Sequence, residues 1–247
     1  MTARQLLAEL TLVLRILLRQ PGFWVPTVLF PAMLYAFFGA GLAGDGPGAG
    51  YAMASFAVYA VLGVGFYQFG VTVAQDRADP FILWQRLLPG SALAPWVARV
   101  TAGVGFSALA MALVLLLGKL LGGVVLMESA AWLRLAGITL LAALPATLMG
   151  TALGSVASVR AAVPLANLVF LPLAYLGGLW MPLHLLPAAV GAISVWTPTR
   201  AMGELAWAAL DGRALPGWYL GVLAAWTLAA AGVTWLAQAR HRRAVFG

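Results

Sequence analysis

The chain has 247 residues, 63% of them hydrophobic and 9% charged, with a mean hydropathy of +0.97. A soluble domain carries about 25% charged residues, so this is the composition of an integral membrane protein. The net charge of +7 is spread between apolar spans and implies no nucleic-acid surface, and the absence of cysteine removes disulfides, thiol catalysis and Cys-bound metals.

In chain order, residues 2–20 read as an amphipathic helix. Leu6, Leu7, Leu10, Val13, Leu14, Leu17 and Leu18 recur at helical spacing on one face, and Arg4, Thr11, Arg15 and Arg19 occupy the other. Pro21-Gly22 breaks this helix before the first span. It is read as an in-plane interfacial helix, the alternative being a frayed extension of span one. The stretch is interrupted by Arg15 and Arg19 and lacks a small-residue cleavage site, so it does not read as a cleavable signal.

Hydropathy then places six spans near 23–43, 52–74, 95–117, 131–154, 161–181 and 216–236. The expected fold is all-α, a single polytopic membrane domain over 1–247. With the N-terminus inside, ten basic residues face the cytoplasm and four (Lys119, Arg134, Arg200, Arg213) face out, which puts both termini in the cytoplasm. Trp24, Trp96, Trp132, Trp180 and Trp218 fall near span ends, as an interfacial belt does. Pro145, Pro164 and Pro172 are expected to kink their spans, and Gly150-x-x-x-Gly154 permits close helix contact.

None of the seven acidic residues lies mid-span, which argues against energy taken from an ion gradient. No G-x-x-x-x-G-K-[ST] occurs, so ATP cannot bind through a P-loop. Energy for active transport would have to come from a second polypeptide. Residues 75–91, QDRADPFILWQRLLPGS, are the natural place to receive it. Pro80 can start a short helix and Pro89-Gly90 end it, with Phe81, Ile82, Trp84, Leu87 and Leu88 giving an apolar surface beside Arg86. The same segment also reads as an amphipathic loop on lipid headgroups.

Gln68 and Asn167 are the clearest polar residues inside spans. Each is first read as satisfied by a neighbouring helix, and second as lining a path. His184 and His241 fall on opposite sides and make no metal site, and no serine has His and Asp at triad spacing. Beyond span five, Thr197 can cap a helix that begins with Pro198 and ends at Asp211-Gly212, with Arg200 and Glu204 four apart and able to pair.

Residues 164–212 carry a resemblance. An uncharged stretch ending Gly177-Gly178-Leu179-Trp180, then Pro182, the Leu186-Pro187 turn, Pro198 and Glu204, resembles the permease subunits of ABC-2-type ATP-binding-cassette exporters. Asp76, Arg77 and Pro89 match the same family's loop between spans two and three, with Asp76 where Glu is usual and Pro80 where Gly is frequent. The resemblance implies a cytoplasmic coupling helix in 75–91, so that Asp76, Arg77, Phe81, Trp84, Arg86, Leu88 and Pro89 would meet an ATPase. It implies a substrate path along spans two and five, with Gln68, Asn167, Phe170 and Tyr175 as candidates. It also implies an extracytoplasmic interfacial hairpin over 182–212, with Trp180, Pro182, Pro187, Pro198 and Glu204 as an outer gate. ATP and Mg would sit on the partner ATPase, with no cofactor on this chain and no catalytic residues. Two such chains, read as a homodimer, would pair with two ATPase copies among lipids of a bacterial inner membrane. The function implied is export of an apolar, amphiphilic or lipid-linked substrate. The rivals are a stand-alone channel or ion-coupled carrier, which needs a filter ring or buried charge, and a lipid-modifying enzyme, which needs clustered polar groups at one depth.

Overall fold

A computed structural model describes residues 3–42, 47–79, 94–122, 124, 129–182 and 185–246, and every regular element among them is helical. Helix α1 (Ala3–Leu18) is followed after a short break by α2 (Pro21–Leu34). Pro26 and Pro31 lie inside α2, and neither can donate to the ladder. Shortly after Pro31 the helix widens into a π-helical turn, Tyr35–Gly39, and ends with Ala40–Leu42. Helix α3 (Pro47–Val64) passes through a second π-helical segment, Gly65–Val71, into α4 (Thr72–Ala78). Helix α5 is Ala94–Leu120. Helices α6 (Ser129–Leu141) and α7 (Ala143–Val156) form one span broken at Ala142, where Pro145 has no N–H for the carbonyl four residues back. Helix α8 (Val159–Leu176), the short α9 (Ala188–Ser194), α10 (Pro198–Asp211) and α11 (Gly217–Phe246) complete the chain.

Among the described residues, five helices are long and apolar enough to cross a bilayer: Gly48–Ala78, Ala94–Leu120, Ser129–Val156, Val159–Leu176 and Gly217–Ala237. They coincide with the second to sixth predicted spans. The predicted first span falls on a shorter apolar helix, Trp24–Gly39. The predicted fifth span, 161–181, stops early at Leu176. Hydropathy runs on through Leu179 and Trp180, but the backbone turns at Gly178, whose φ is +70°. The Gly178 N–H donates to Tyr175 O (3.0 Å) and the Leu179 N–H to Ala174 O (3.1 Å), the bonding that closes a helix over a left-handed glycine.

The second span organises the bundle. It is 89% buried, against 22% for α8 and 11% for the membrane part of α11, so α8 and α11 lie at the periphery. Its π-helical segment packs on α7 and α8, and α3 packs on α2, α5 and α10. Backbones meet directly at the α7 face: a Cβ on Gly150 would lie 2.1 Å from Gly65 O, and one on Gly154 would lie 2.3 Å from Gly70 O. The wider π turn brings Gly65 and Gly70, five apart, opposite two glycines four apart on an α-helix.

The α1 stripe divides. Leu10, Val13, Leu14 and the buried Leu17 pack on the core, where α5 is the main neighbour, whereas Leu7 and Leu18 are exposed. Both lie at one edge of the predicted face and miss the contact.

Candidate path, coupling corner and outer hairpin

Two of the four candidate path residues, Asn167 and Phe170, stand where α8 meets the second span. Tyr67 donates its hydroxyl to Asn167 Oδ1. Phe170, fully buried, stacks on Tyr59 at 4.8 Å and lies 5.7 Å from Phe66 and 5.8 Å edge-on from Tyr67. Tyr59 in turn meets Trp180 at 5.9 Å, so aromatic contacts run from the middle of α8 to the turn after it. Gln68 is buried on the same span, and its Nε2 has no hydrogen-bond partner, whereas the Asn167 carbonyl is already taken. A buried amide without a partner is a polar group held open, and of the two amides only Gln68 has this property. Tyr175 is exposed and stands apart from the cluster. A cleft of about 200 Å³ lies close by, lined by Phe69, Trp96, Val100, Thr147, Leu148, Thr151 and Thr234 from the second, third, fourth and sixth spans. Sequence reasoning missed its threonines, because Thr151 and Thr234 donate to their own helix carbonyls and carry no charge signal.

At the roots of residues 80–93, Asp76 on α4 forms an ion pair with Arg99 on α5. Arg77 Nη1 donates to Gly154 O (3.1 Å) and Ala157 O (3.5 Å) at the C-terminal end of α7. Both residues named for the ATPase surface therefore bond inward to neighbouring spans. Phe81, Trp84, Arg86, Leu88 and Pro89 lie outside the described residues. Arg99 entered the sequence reading only through the charge tally. Its opposite sign to Asp76, across the same loop, was the available signal.

The hairpin has two unlike halves. Pro182 and Pro187 are exposed, and α9 buries only Ser194. In α10 the buried residues are Pro198, Thr199, Ala201, Met202, Gly203, Leu205, Ala206, Ala208 and Ala209, so this helix sits inside the bundle, packed on α3, α6, α8 and α11. Its small residues explain the depth, since they let the backbone approach its neighbours closely. Thr197 accepts from the Arg200 N–H (3.2 Å) with Pro198 at the first position, and the helix ends at Gly212, as read from the sequence. Thr199 Oγ1 donates to Leu173 O at 2.5 Å and seats α10 on the end of α8.

Glu204 forms an ion pair with Arg200, whose guanidinium lies 4.8 Å from the centre of the Trp207 ring. The Trp207 indole donates to Ser55 Oγ (2.9 Å) on α3. Arg134 Nε donates to Ala209 O (3.1 Å), a cation at the negative end of α10. Asp211 accepts from Tyr51 Oη (2.8 Å) and from Arg213 Nε (2.7 Å), and that second bond raises the Arg213 guanidinium above its ordinary value. At the α9–α10 corner, Trp196 and Trp218 meet edge to face at 4.9 Å, and the Trp226 indole donates to Trp196 O (2.8 Å).

Residues 4–210 match the ABC-2 type transporter family. The chain is also 27% identical over 225 residues, 87% of each chain, to the Bacillus subtilis (strain 168) protein named "Putative transport permease YvfS". The family match spans the α3–α8 aromatic cluster, the Asp76–Arg99 corner and nearly all of α10, and with these helices it makes the chain a multi-pass membrane protein of the ABC-2 type transporter family.

Proposed function

We propose that the chain is the transmembrane permease of an ATP-driven exporter, and that it moves an apolar, amphiphilic or lipid-linked substrate out of the cytoplasm. Hydrolysis then belongs to a separate ATPase holding ATP and Mg, received on the loop over residues 75–91, and the working unit is a pair of permease chains in a bacterial inner membrane. The observation that carries this reading is the anchorage of that loop. Its roots are bonded to the third span through Asp76–Arg99 and to the fourth through Arg77, so a force on the loop has a firm base to act on. The absence of a P-loop from the sequence agrees with an outside source of energy. The aromatic surroundings of Phe170 favour a substrate with a large apolar part.

Trp84→Ala combined with Arg86→Ala tests the docking surface. Large aromatic and Arg anchors typically contribute about 2 kcal/mol or more, so ATPase recovery with the permease should weaken roughly tenfold or more. Membrane expression should stay at the wild-type level. Full recovery of the ATPase by the double variant would remove the loop over 75–91 as the docking surface.

A further inference from the structure

The geometry points to a binding site for a neutral, ring-sized lipophile carrying a carbonyl oxygen, in the cleft bordered by the second span, α5, α7 and α11, with the Thr147 hydroxyl donating to that oxygen. The site is separate from the candidate path, since among the described residues none from α8 lines it.

Size, lining and charge decide the ligand class. The cleft has a volume of about 200 Å³. In another protein an apolar cavity of roughly 150 Å³ takes up benzene, so this one has room for a single substituted ring. Phe69 and Trp96 offer aromatic walls and Val100 and Leu148 aliphatic ones. None of the described lining residues is charged, so an ionic group would be left unpaired. Floor and rim differ. Phe69, Thr147 and Thr151 are buried, whereas Trp96, Val100 and Thr234 are partly exposed, so the cleft opens outward from the bundle. The membrane part of α11, which forms one side of the opening, is only 11% buried, and what surrounds it is hydrocarbon. A ligand arriving from there gains little by hydrophobic burial, because lipid is as apolar as the cleft, and a polar contact has to select it. Thr147 supplies that contact. It is 7% exposed, and its hydroxyl has no hydrogen-bond partner among the described residues. Thr151 and Thr234 have already donated theirs, to Thr147 O (2.7 Å) and Ala230 O (2.9 Å). A carbonyl on the ligand satisfies the remaining donor, whereas a bare acyl chain would fill the same space and leave Thr147 unpaired.

The test uses the full chain in lipid vesicles and two photoreactive aryl diazirines that differ in one substituent, acetyl in the first and ethyl in the second. Adducts are mapped by peptide mass spectrometry, with the exposed Leu168 and Val169 on α8 as the reference for a lipid-facing surface. The acetyl probe should label the segments around Trp96, Val100 and Leu148 saturably. Its yield there should exceed that of the ethyl probe about fivefold, the factor that one hydrogen bond of about 1 kcal/mol gives. Thr147→Val removes the hydroxyl and keeps the branched shape. It should bring the acetyl probe down to the ethyl level and leave the ethyl probe unchanged. Val100→Trp, which fills the cleft and leaves Thr147 in place, should remove saturable labelling by both probes, while labelling of α8 stays the same throughout. Equal labelling of the wild-type chain by the two probes would overturn the site, and that comparison needs no variant to fold. Undiminished acetyl labelling in Thr147→Val would overturn it too. So would labelling of the cleft that does not saturate, which would give the space to acyl chains.

Discussion

Gly150 and Gly137 show how much one missing side chain does here. A Cβ on Gly150 would lie within 2.1 Å of the Gly65 carbonyl oxygen, a backbone atom with no rotamer to give way, whereas one on Gly137 would meet nothing within 4 Å. Overpacking at such a contact costs about 1–3 kcal/mol, more where the neighbour is rigid. Gly150→Val should therefore lower thermal stability in detergent by at least that amount, and Gly137→Val should leave it nearly unchanged. The comparison is read from melting followed by tryptophan fluorescence; equal melting temperatures for the two variants would mean that the α7 contact is looser than described. The same scale separates Gln68 from Asn167. The two look alike in the sequence, and only the Tyr67 hydroxyl, brought in from another span, tells them apart.

At the scale of elements, α9 and α10 are a pair with unequal footing. Helix α10 is enclosed by α3, α6, α8 and α11 and held at both ends, by Thr199 on Leu173 O and by Arg134 on Ala209 O. Helix α9 buries only Ser194. Amides that open only with the core exchange far more slowly than those released by local fraying, so amide exchange over 200–209 should be at least about tenfold slower than over 190–194. Thr199→Val removes one hydrogen bond, worth about 1 kcal/mol, and should speed exchange at the start of α10 by roughly fivefold. Equal exchange in the two helices would mean that α10 is less enclosed by its neighbours than described. The ends of α10 were legible because capping is local: Thr197, Pro198 and Gly212 announce them within a few residues. Its depth was not, because depth follows from which surfaces enclose Ala201, Ala206 and Ala208. Hydropathy likewise located the long helices but ran past Leu176, since Leu179 and Trp180 are as apolar as the helix they follow. In the α1 stripe, too, periodicity gives a face and the neighbouring helix covers part of it, leaving Leu7 and Leu18 exposed.

For the whole molecule, the central placement of the second span and the peripheral placement of α8 and α11 emerge only on assembly, because all of them are comparably apolar in sequence. The orientation of the bundle rests on ten basic residues against four. That count predicts Arg160 in the cytoplasm and Gly46 outside. Since no native cysteine interferes, Gly46→Cys and Arg160→Cys can each be challenged with a membrane-impermeant thiol reagent on intact cells. Labelling is expected at Gly46→Cys alone, and the reverse pattern would invert the assignment. The Asp76–Arg99 pair belongs to this scale too. Its partners are 23 positions apart, and nothing short of the folded bundle brings them together.

The π-helical segment Gly65–Val71 also fixes an angle. A π turn holds an additional residue, so whatever follows is rotated about the helix axis relative to an unbroken α-helix, by roughly the 100° that one residue spans. Asp76 and Arg77 follow within two turns. Their headings, one toward α5 and the other toward α7, are set by a phase offset introduced beside Gln68, several residues deeper in the bundle. The second span thus works like a shaft with a built-in twist: the azimuth of its end is a record of the winding at its middle.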